Sequence, residues 1–211
     1  LVTPIDVNTT LFGRAWIAAA VPPGTFDPTN LGGNTVPPTQ ISSLGADFPF
    51  VLRAEGFAPP ATYCTAKPNS LGCTPTIGFS GQPDPGATSG FRVYATNVRG
   101  NKPGILCYSV DGRASVPFQG GVLCLAAPLR RTPMIGSRGD PSGTDCSGIW
   151  VIDMNGFANG TYGGNPAAEL LLEGTVVNVQ WWGRDKGEPA GFASSLTDAL
   201  EYVVPATVPS N

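Results

Sequence analysis

Residues 175–184 have the sequence Thr-Val-Val-Asn-Val-Gln-Trp-Trp-Gly-Arg, in which apolar and polar side chains alternate. A period of two residues is typical of a β-strand with one buried face, because successive side chains point to opposite sides of a sheet. One face holds Val177, Val179 and Trp181. The other face holds Asn178, Gln180 and Trp182. The stretch therefore predicts a long strand between an apolar core and a polar surface.

The rest of the chain contains many short apolar segments separated by Gly, Pro, Asn or Asp, which is typical of strands joined by turns. Further strands are predicted over residues 5–11, 12–20, 48–54, 76–80, 90–98, 104–110, 121–126 and 148–154. The segment 194–204 matches both a helical face and an alternating strand, and its last residues, which are aromatic or β-branched, favour the strand. One short helix is predicted over residues 166–173, with Asn165 as N-cap and Gly174 after its end.

These elements predict an all-β fold, an antiparallel β-sandwich or jelly roll with one short helix. The 28 Gly and 22 Pro among the 211 residues predict long loops rich in both. The pattern divides the chain into an N-terminal arm with additional strands (residues 1–60), a β-sandwich module (residues 61–205) and a tail (residues 206–211).

Four of the five cysteines are predicted to form two disulfides, which are typical of an oxidising compartment. Cys64 and Cys73 lie around a Lys-Pro-Asn-Ser turn, and Cys124 and Cys146 flank a polar loop. These separations favour one disulfide within each pair. A metal site would need closer thiolates, with histidine or further cysteine nearby. The first residue is Leu1 rather than Met, which fits an exported protein whose signal segment has been removed.

The fifth cysteine, Cys107, falls in the predicted strand over residues 104–110, on the same face as Ile105. We interpret it as a buried free thiol that packs like a small apolar residue. The alternative is an intermolecular disulfide. A catalytic role is not predicted, because the chain contains no histidine that could activate the thiol.

The absence of histidine also argues against Ser-His-Asp hydrolases and against most zinc and redox-metal sites. A net charge of −3 and the scattered positions of the 12 Lys and Arg residues predict no nucleic-acid partner. No apolar run approaches the roughly 20 residues that cross a bilayer. We therefore predict no cofactor, no metal, no nucleic acid and no membrane span.

An enzyme of this composition would have to rely on carboxylates, as glycosidases do. The candidates are Asp140, Asp145, Asp153, Asp185, Asp198, Glu169, Glu173, Glu188 and Glu201. Their spacing marks no catalytic pair, so a hydrolase is not predicted. The segment 153–159 contains oxygen-bearing side chains that could bind calcium, but it lacks a closing carboxylate and favours Asn-Gly turns.

The segment from Tyr63 to Val204 resembles a disulfide-containing β module found at the C-terminal end of large secreted or surface proteins of planctomycetes and myxobacteria. The matching pieces are Tyr63-Cys-Thr65, Gly72-Cys73, Gly90-Phe91, Asn97-Val98, Ala114 to Phe118, Leu123-Cys124, Arg131-Thr-Pro133, Cys146-Ser-Gly148, Val177 to Asp185 and Leu196 to Tyr202. The resemblance implies export, disulfides and β architecture, and it implies no reaction. The chain departs from the module at Cys107 and Trp181.

The N-terminal arm lies outside this match and has apolar side chains at the alternating positions Ile5, Val7 and Leu11. Such an arm pairs either with the protein's own sheet or with a neighbouring subunit by β-augmentation. Head-to-tail contacts of the second kind build an open filament when their rotation does not close. The main hypothesis is therefore a secreted, non-enzymatic structural protein, the repeating subunit of a fibre, pilus-like filament or surface layer whose partners are its own copies.

The alternative hypothesis is a carbohydrate-binding or adhesive module at the cell surface. The alternation of β-strand faces places Trp182 among the polar side chains of Asn178 and Gln180, an arrangement that suits a sugar-binding platform. Further aromatic candidates are Tyr108, Trp150 and Tyr162. A purely structural interpretation places Trp182 beneath a loop, packed against Arg184.

Overall fold

The computed structural model describes residues 59–205 and three short strands nearer the N-terminus. These strands are Val2–Ile5 (β1), Trp16–Ala19 (β2) and Val36–Gln40 (β3). The chain divides into two compact units, Leu1–Gly56 and Phe57–Asn211. In the first unit the three strands form an antiparallel sheet with β2 in the centre, so β1 and β3 are its edges.

The N-terminal strands agree only in part with the sequence pattern. Ile5 ends β1, where it lies opposite Trp16, whereas Val7 and Leu11 lie outside the described residues. The predicted strand over residues 12–20 contains β2, and the predicted strand over residues 48–54 lies outside the described residues, as does the predicted tail. The pattern did not predict β3, because its sequence Val-Pro-Pro-Thr-Gln includes two prolines, which cannot donate to a strand ladder.

The second unit contains eleven strands, one α-helix and one 3₁₀ helix within residues 59–205. The strands are β4 (Ala61–Tyr63), β5 (Thr76–Gly81), β6 (Phe91–Val98), β7 (Pro103–Ser109), β8 (Arg113–Phe118), β9 (Gly121–Leu125), β10 (Arg130–Arg131), β11 (Ile135–Gly136), β12 (Gly148–Asp153), β13 (Val176–Arg184) and β14 (Ser194–Val203). All of their pairings are antiparallel. The predicted all-β antiparallel fold is confirmed, and the ambiguous segment 194–204 forms the strand β14.

Two sheets of this unit pack face to face as a β-sandwich. The larger sheet has the order β10-β7-β13-β14-β4, with β11 also paired to β7, and the smaller sheet has the order β12-β6-β5. Both sheets contribute to one apolar core, whose largest members include Phe91, Val93, Leu106, Tyr108, Trp150, Ile152, Val177, Val179, Trp181, Leu200 and Tyr202. Full burial of one large apolar side chain stabilises a fold by about 1.5–3 kcal/mol, so this core is the main source of stability.

Trp150 is a buried core residue, and the position of its ring explains why residues 104 and 183 are glycines. Its ring stacks on that of Trp181, with the ring centroids 5.8 Å apart, and its indole N–H donates to the carbonyl of Lys102 at 2.9 Å. Gly104 and Gly183 lie opposite each other on β7 and β13, next to this ring. A Cβ on either glycine would overlap the indole, so both positions lack a side chain for steric reasons.

The hairpin formed by β8 and β9 contacts the opposite face of the larger sheet, where β9 meets β13 and β14. Arg113 of β8 donates two hydrogen bonds of 2.8 Å to the carboxylate of Glu201 and lies 4.3 Å from the ring centroid of Tyr63. The Tyr63 hydroxyl donates to the carbonyl of Cys124 at 2.9 Å. The hairpin is thus fastened over one half of this face.

The four predicted disulfide cysteines do form two disulfides, but the predicted pairing is wrong. Cys64 pairs with Cys124, and Cys73 pairs with Cys146, at sequence separations of 60 and 73. The prediction relied on short separations along the chain, whereas strand pairing brings distant residues together. Cys64 directly follows β4, at the edge of the sheet that the Cys124 hairpin covers. Loops of this length give each disulfide about 4 kcal/mol of stabilisation in the chain-entropy account.

The helices also differ from the prediction. Residues 166–173 contain only a 3₁₀ helix at Ala168–Leu171, and the residue before it is Ala167, which makes no side-chain cap. The α-helix spans Met154–Ala158 (α1), where the end of a strand was expected. Its N-cap is Asp153, whose carboxylate accepts from the N–H of Gly156 at 3.2 Å. No helix in the described part of the chain has the length and apolar character needed to cross a membrane.

Candidate ligand-binding cleft

The polar face of β13 has two halves with different surroundings, and the hairpin covers the first. The side chain of Gln180 is 1% exposed; it accepts from the N–H of Cys124 at 3.0 Å and donates to the carbonyls of Thr197 at 2.8 Å and of a β9 residue at 3.1 Å. Asn178 is fully buried and donates to the Glu201 carboxylate at 2.9 Å. The predicted ligand-binding set is therefore corrected, because the hairpin makes Asn178 and Gln180 inaccessible and uses their amides structurally.

The second half of this face begins at Trp182, which is partly exposed and lines an open cleft of about 850 Å³. Ile105 lies opposite it on β7, and Pro103 and Met134 line the same cleft. The indole nitrogen of Trp182 is buried and has no acceptor among the described residues. The part of the ring that faces solvent is therefore its carbon framework, which forms an apolar patch with these neighbours.

Basic side chains surround the apolar patch. The cleft is lined by Arg99, Lys102, Arg131, Arg184 and Lys186. They come from the loop between β6 and β7, from β10, and from the end of β13 with the loop that follows. No acidic residue is among the described residues that line the cleft. Five of the 12 Lys and Arg residues of the chain thus converge on one site.

One of these cations, Arg99, is neutralised by a buried carboxylate. Its Nη1 lies 2.8 Å from Oδ1 of Asp185, whose side chain is 1% exposed and also accepts from the Ser70 hydroxyl at 2.7 Å. Burial raises the pKa of the Asp185 carboxyl, but hydrogen bonds from Ser70, Arg99 and the backbone of Gly187 outweigh burial and hold that pKa below its ordinary value. The bonds from Ser70, Arg99 and Gly187 to Asp185 hold the start of the loop between β13 and β14.

The other four cations are uncompensated. Lys102, Arg131, Arg184 and Lys186 form no ion pair and no side-chain hydrogen bond with the described residues. Three of them are exposed, and Lys102 is half-buried. Several positive charges around a concave surface produce a field that attracts an anion. The arrangement combines an apolar stacking surface with a cationic rim.

Cys107 lies beside the cleft as a free thiol. It is 9% exposed, and its strand neighbours Leu106 and Tyr108 point into the core. Burial raises the pKa of the Cys107 thiol to about 11, although the charge of Arg131 opposes this shift. The thiol is therefore protonated at neutral pH and is a poor nucleophile. This environment agrees with the interpretation of Cys107 as a packing residue.

The remaining aromatic candidates do not line the cleft. Tyr108 and Trp150 are buried in the core, which removes them from any surface platform. Tyr162 is 47% exposed, and its ring packs against Gly156 at the start of α1. Trp182 is thus the one predicted aromatic that a ligand in this cleft would meet.

Most of the candidate carboxylates accept hydrogen bonds that hold the fold together. Asp198 accepts from the N–H of Ile77 at 2.7 Å. Asp153 accepts from the N–H of Gly156 in α1 and from the N–H of Gly90, the residue before β6. Asn155 and Asn159 hold the loop over residues 82–90 through its backbone. The interpretation of the segment 153–159 as turns is wrong for its central part, because Met154–Ala158 forms α1. Among the described residues, no three or more Cys, Asp or Glu side chains form a metal-binding cluster.

The sequence pattern indicated Trp182 and missed the cations around it. These basic residues lie in three segments that are far apart in the sequence, so no single motif marks them. Antiparallel pairing of β7 with both β10 and β13 is what brings their segments together. No protein-family model, curated protein or solved structure matches this chain.

Proposed function

We propose that the protein is a secreted, non-enzymatic module of the cell surface that binds carbohydrate in the cleft at Trp182. The observation that supports this proposal is a solvent-accessible indole on the apolar floor of a cleft of about 850 Å³. Aromatic rings stack on the apolar faces of sugar rings, while polar side chains at the rim bind hydroxyl groups. Small-ligand sites have volumes of about 300–1,000 Å³, so the cleft can hold a short oligosaccharide.

The disulfides support an extracellular setting for this function. Cys64–Cys124 and Cys73–Cys146 join segments that are distant in sequence, and such bonds persist mainly in oxidising compartments. The resemblance to a module of secreted bacterial surface proteins agrees with that setting.

The lining of the cleft supports binding without catalysis. General acid–base catalysis at neutral pH needs a side chain whose pKa lies near the working pH, most often His, Glu or Asp. The described residues that line the cleft supply only guanidinium and ammonium groups as titratable side chains. These cationic groups act as hydrogen-bond donors to a ligand.

A glycan array tests the proposal when the native protein is compared with Trp182→Ala, Trp182→Phe and Tyr162→Ala. We expect the native protein to bind a subset of glycans. Trp182→Ala should weaken this binding by about fivefold or more, because the variant loses both the buried apolar area of the indole and a stacking contribution of about 0.5–1.5 kcal/mol. Trp182→Phe should retain most of it. Tyr162→Ala is the matched control, since it removes an exposed aromatic ring that does not line the cleft.

Two results would overturn the carbohydrate proposal. One is a blank array for the native protein. The other is equal binding by the native protein and Trp182→Ala when both have the same melting temperature, because the bound surface would then lie elsewhere.

Self-assembly into a fibre, pilus-like filament or surface layer is a second proposed function. The observation that favours it is that β1 lies at an edge of the N-terminal sheet and, among the described residues, pairs only with β2. An edge strand presents unpaired backbone groups that a strand from another copy can bind. The proposed contact is augmentation at this edge, or exchange of β1 between neighbouring copies.

Electron microscopy and light scattering of the native protein and of a variant lacking residues 1–12 test this assembly. Filaments or large particles that disappear in the truncated variant would support it. A native protein that remains monomeric at high concentration, with no change after truncation, would exclude it. The truncation leaves the second unit intact, so the glycan array on the same variant serves as a folding control.

A further inference from the structure

We infer that the ligand of the cleft is an acidic polysaccharide, whose carboxylate or sulfate groups bind Lys102, Arg131, Arg184 and Lys186 while a sugar ring stacks on Trp182. This inference rests on the proposed carbohydrate-binding function and names its substrate class. The hydroxyl groups of a neutral glycan can accept hydrogen bonds from the rim, but they supply no negative charge to balance its four cations.

The first observation is the concentration of positive charge around the cleft. Four cations lie around one concave surface, and none of them has an acidic partner among the described residues. These four cations come from three segments that are far apart in the sequence, so the fold brings them together. Convergence of positive charge without compensation costs electrostatic repulsion, which a bound anion removes.

The second observation is the difference between Arg99, which is paired with Asp185, and the other cations of the cleft. Arg99 also lines the cleft, but Asp185 binds it at 2.8 Å and orients it, so this cation helps to build the wall. The neighbouring cations at Arg184 and Lys186 flank the same aspartate in sequence and are exposed, so their donors remain available to a ligand. A guanidinium binds a carboxylate or sulfate through two parallel hydrogen bonds, whereas an ammonium acts as a point charge.

Two observations favour a glycan over a nucleic acid. The whole chain has a net charge of −3, whereas domains that bind nucleic acid are typically strongly basic. Proteins that bind single-stranded nucleic acid stack successive bases on several aromatic side chains. The described residues that line this cleft include one aromatic ring.

Affinity measurements on the full chain test the inference with four polymers: polygalacturonate, dextran sulfate, neutral dextran and an oligothymidylate. The cleft variant is the double substitution Arg184→Gln and Lys186→Gln. The matched control is Arg92→Gln with Arg138→Gln, which makes the same change in net charge at exposed residues that do not line the cleft. Trp182→Ala is measured with the same polymers.

We expect one or both acidic polysaccharides to bind more tightly than dextran. The dissociation constant should rise about fivefold or more in the cleft variant and should not change in the control, because only the cleft variant removes charges that contact the ligand. Binding should also weaken as salt rises, since exposed charges are screened. The comparison of polygalacturonate with dextran sulfate distinguishes carboxylate from sulfate recognition.

The inference fails if dextran binds as tightly as the acidic polymers, if the control variant weakens binding as much as the cleft variant, or if the oligothymidylate binds most tightly. Dextran binding that depends on Trp182 would overturn the acidic ligand and leave the carbohydrate function intact. Absence of binding to every polysaccharide, or binding that Trp182→Ala does not change, would overturn the carbohydrate function itself.

Discussion

The two halves of the polar face of β13 show how one strand pattern serves two purposes. Gln180 bonds the β8–β9 hairpin directly through its amide, and Asn178 donates to Glu201, which also binds Arg113 of the hairpin. Trp182 lies beyond the hairpin and opens onto a cationic cleft. All three side chains have the same parity on the same strand. Parity therefore determines the face of a side chain, and a segment distant in sequence determines whether that face is covered.

The largest expected effect is on the half of the β13 face that the hairpin covers, when the disulfide that holds the hairpin is removed. The double substitution Cys64→Ser with Cys124→Ser removes the disulfide that holds the hairpin, and we expect a loss of about 4 kcal/mol from the free energy of unfolding. The matched control is the double substitution Cys73→Ser with Cys146→Ser. It removes a disulfide that closes a loop of similar length, and neither of its cysteines lies in the hairpin strand β9.

Hydrogen exchange separates these two variants. Both should lose global stability, but only the Cys64/Cys124 variant should show fast exchange confined to β9 under native conditions. Equal protection of β9 in the two variants would contradict the account of the hairpin as a cover fastened by Cys64–Cys124.

Substitution within β13 should show the same contrast with a smaller effect. Gln180→Ala leaves the buried N–H of Cys124 and a buried carbonyl of Thr197 without partners, so we expect a loss of about 3 kcal/mol in urea unfolding. Arg184→Ala in the open half should change stability by less than about 0.5 kcal/mol, because this side chain is exposed and forms no bond within the described residues. A loss for Arg184→Ala as large as that for Gln180→Ala would remove the distinction between the halves.

The contribution of Asp185, in the wall of the cleft, to the free energy of unfolding should depend on pH. The pKa of Asp185 is lowered in the folded state, so its stabilisation is present above the unfolded-state pKa of about 3.9 and is lost as pH falls through the folded-state pKa. Asp185→Asn should therefore destabilise the protein at pH 7 by about 1–2 kcal/mol. The difference between native protein and variant should shrink as the pH is lowered below about 4. A difference that does not vary with pH in thermal unfolding would argue against an ionised Asp185.

The smallest effect concerns Cys107, which lies opposite Gln180 on β7. A buried thiol whose pKa is raised to about 11 should react slowly with a thiol reagent at pH 8 in the native protein and quickly after unfolding in denaturant. Substitution by Ala, Cys107→Ala, should abolish the signal in denaturant and serves as the control. Fast labelling of the native protein, or a dimer on a non-reducing gel, would instead favour the surface or intermolecular interpretation.

The sequence predicted the parts of this fold that depend on local periodicity. The strands β5, β6, β7, β9, β12, β13 and β14 follow from alternating apolar residues between turns, and the apolar face of β13 does enter the core. β8 was missed because its side chains are mostly exposed and it contains Pro117. The helix α1 was missed because its five residues follow a strand without a break, although Asp153 and Asn155 are polar residues of the kind that mark a helix start.

The non-local features could not be obtained from one sequence. The disulfide partners depend on which strands become neighbours, and local spacing favoured the wrong pairs. The burial of Gln180 depends on a hairpin more than 50 residues away, as the bond between Cys124 and Gln180 shows with its separation of 56. The cationic rim likewise depends on sheet order, because Arg131 and Arg184 meet at the cleft only through β7.

A nuclear magnetic resonance titration with an oligogalacturonide tests the contrast between the two halves most directly. The chain contains 4 Trp, and their indole N–H signals report separately on core and cleft. We expect the signals of the Trp182 indole and of the backbone of Ile105 and Arg184 to shift with increasing ligand, while those of Trp150, Trp181 and Gln180 stay in place. Shifts centred on the hairpin, or a titration that moves no signal in the cleft, would contradict the assignment of the open half as the binding surface.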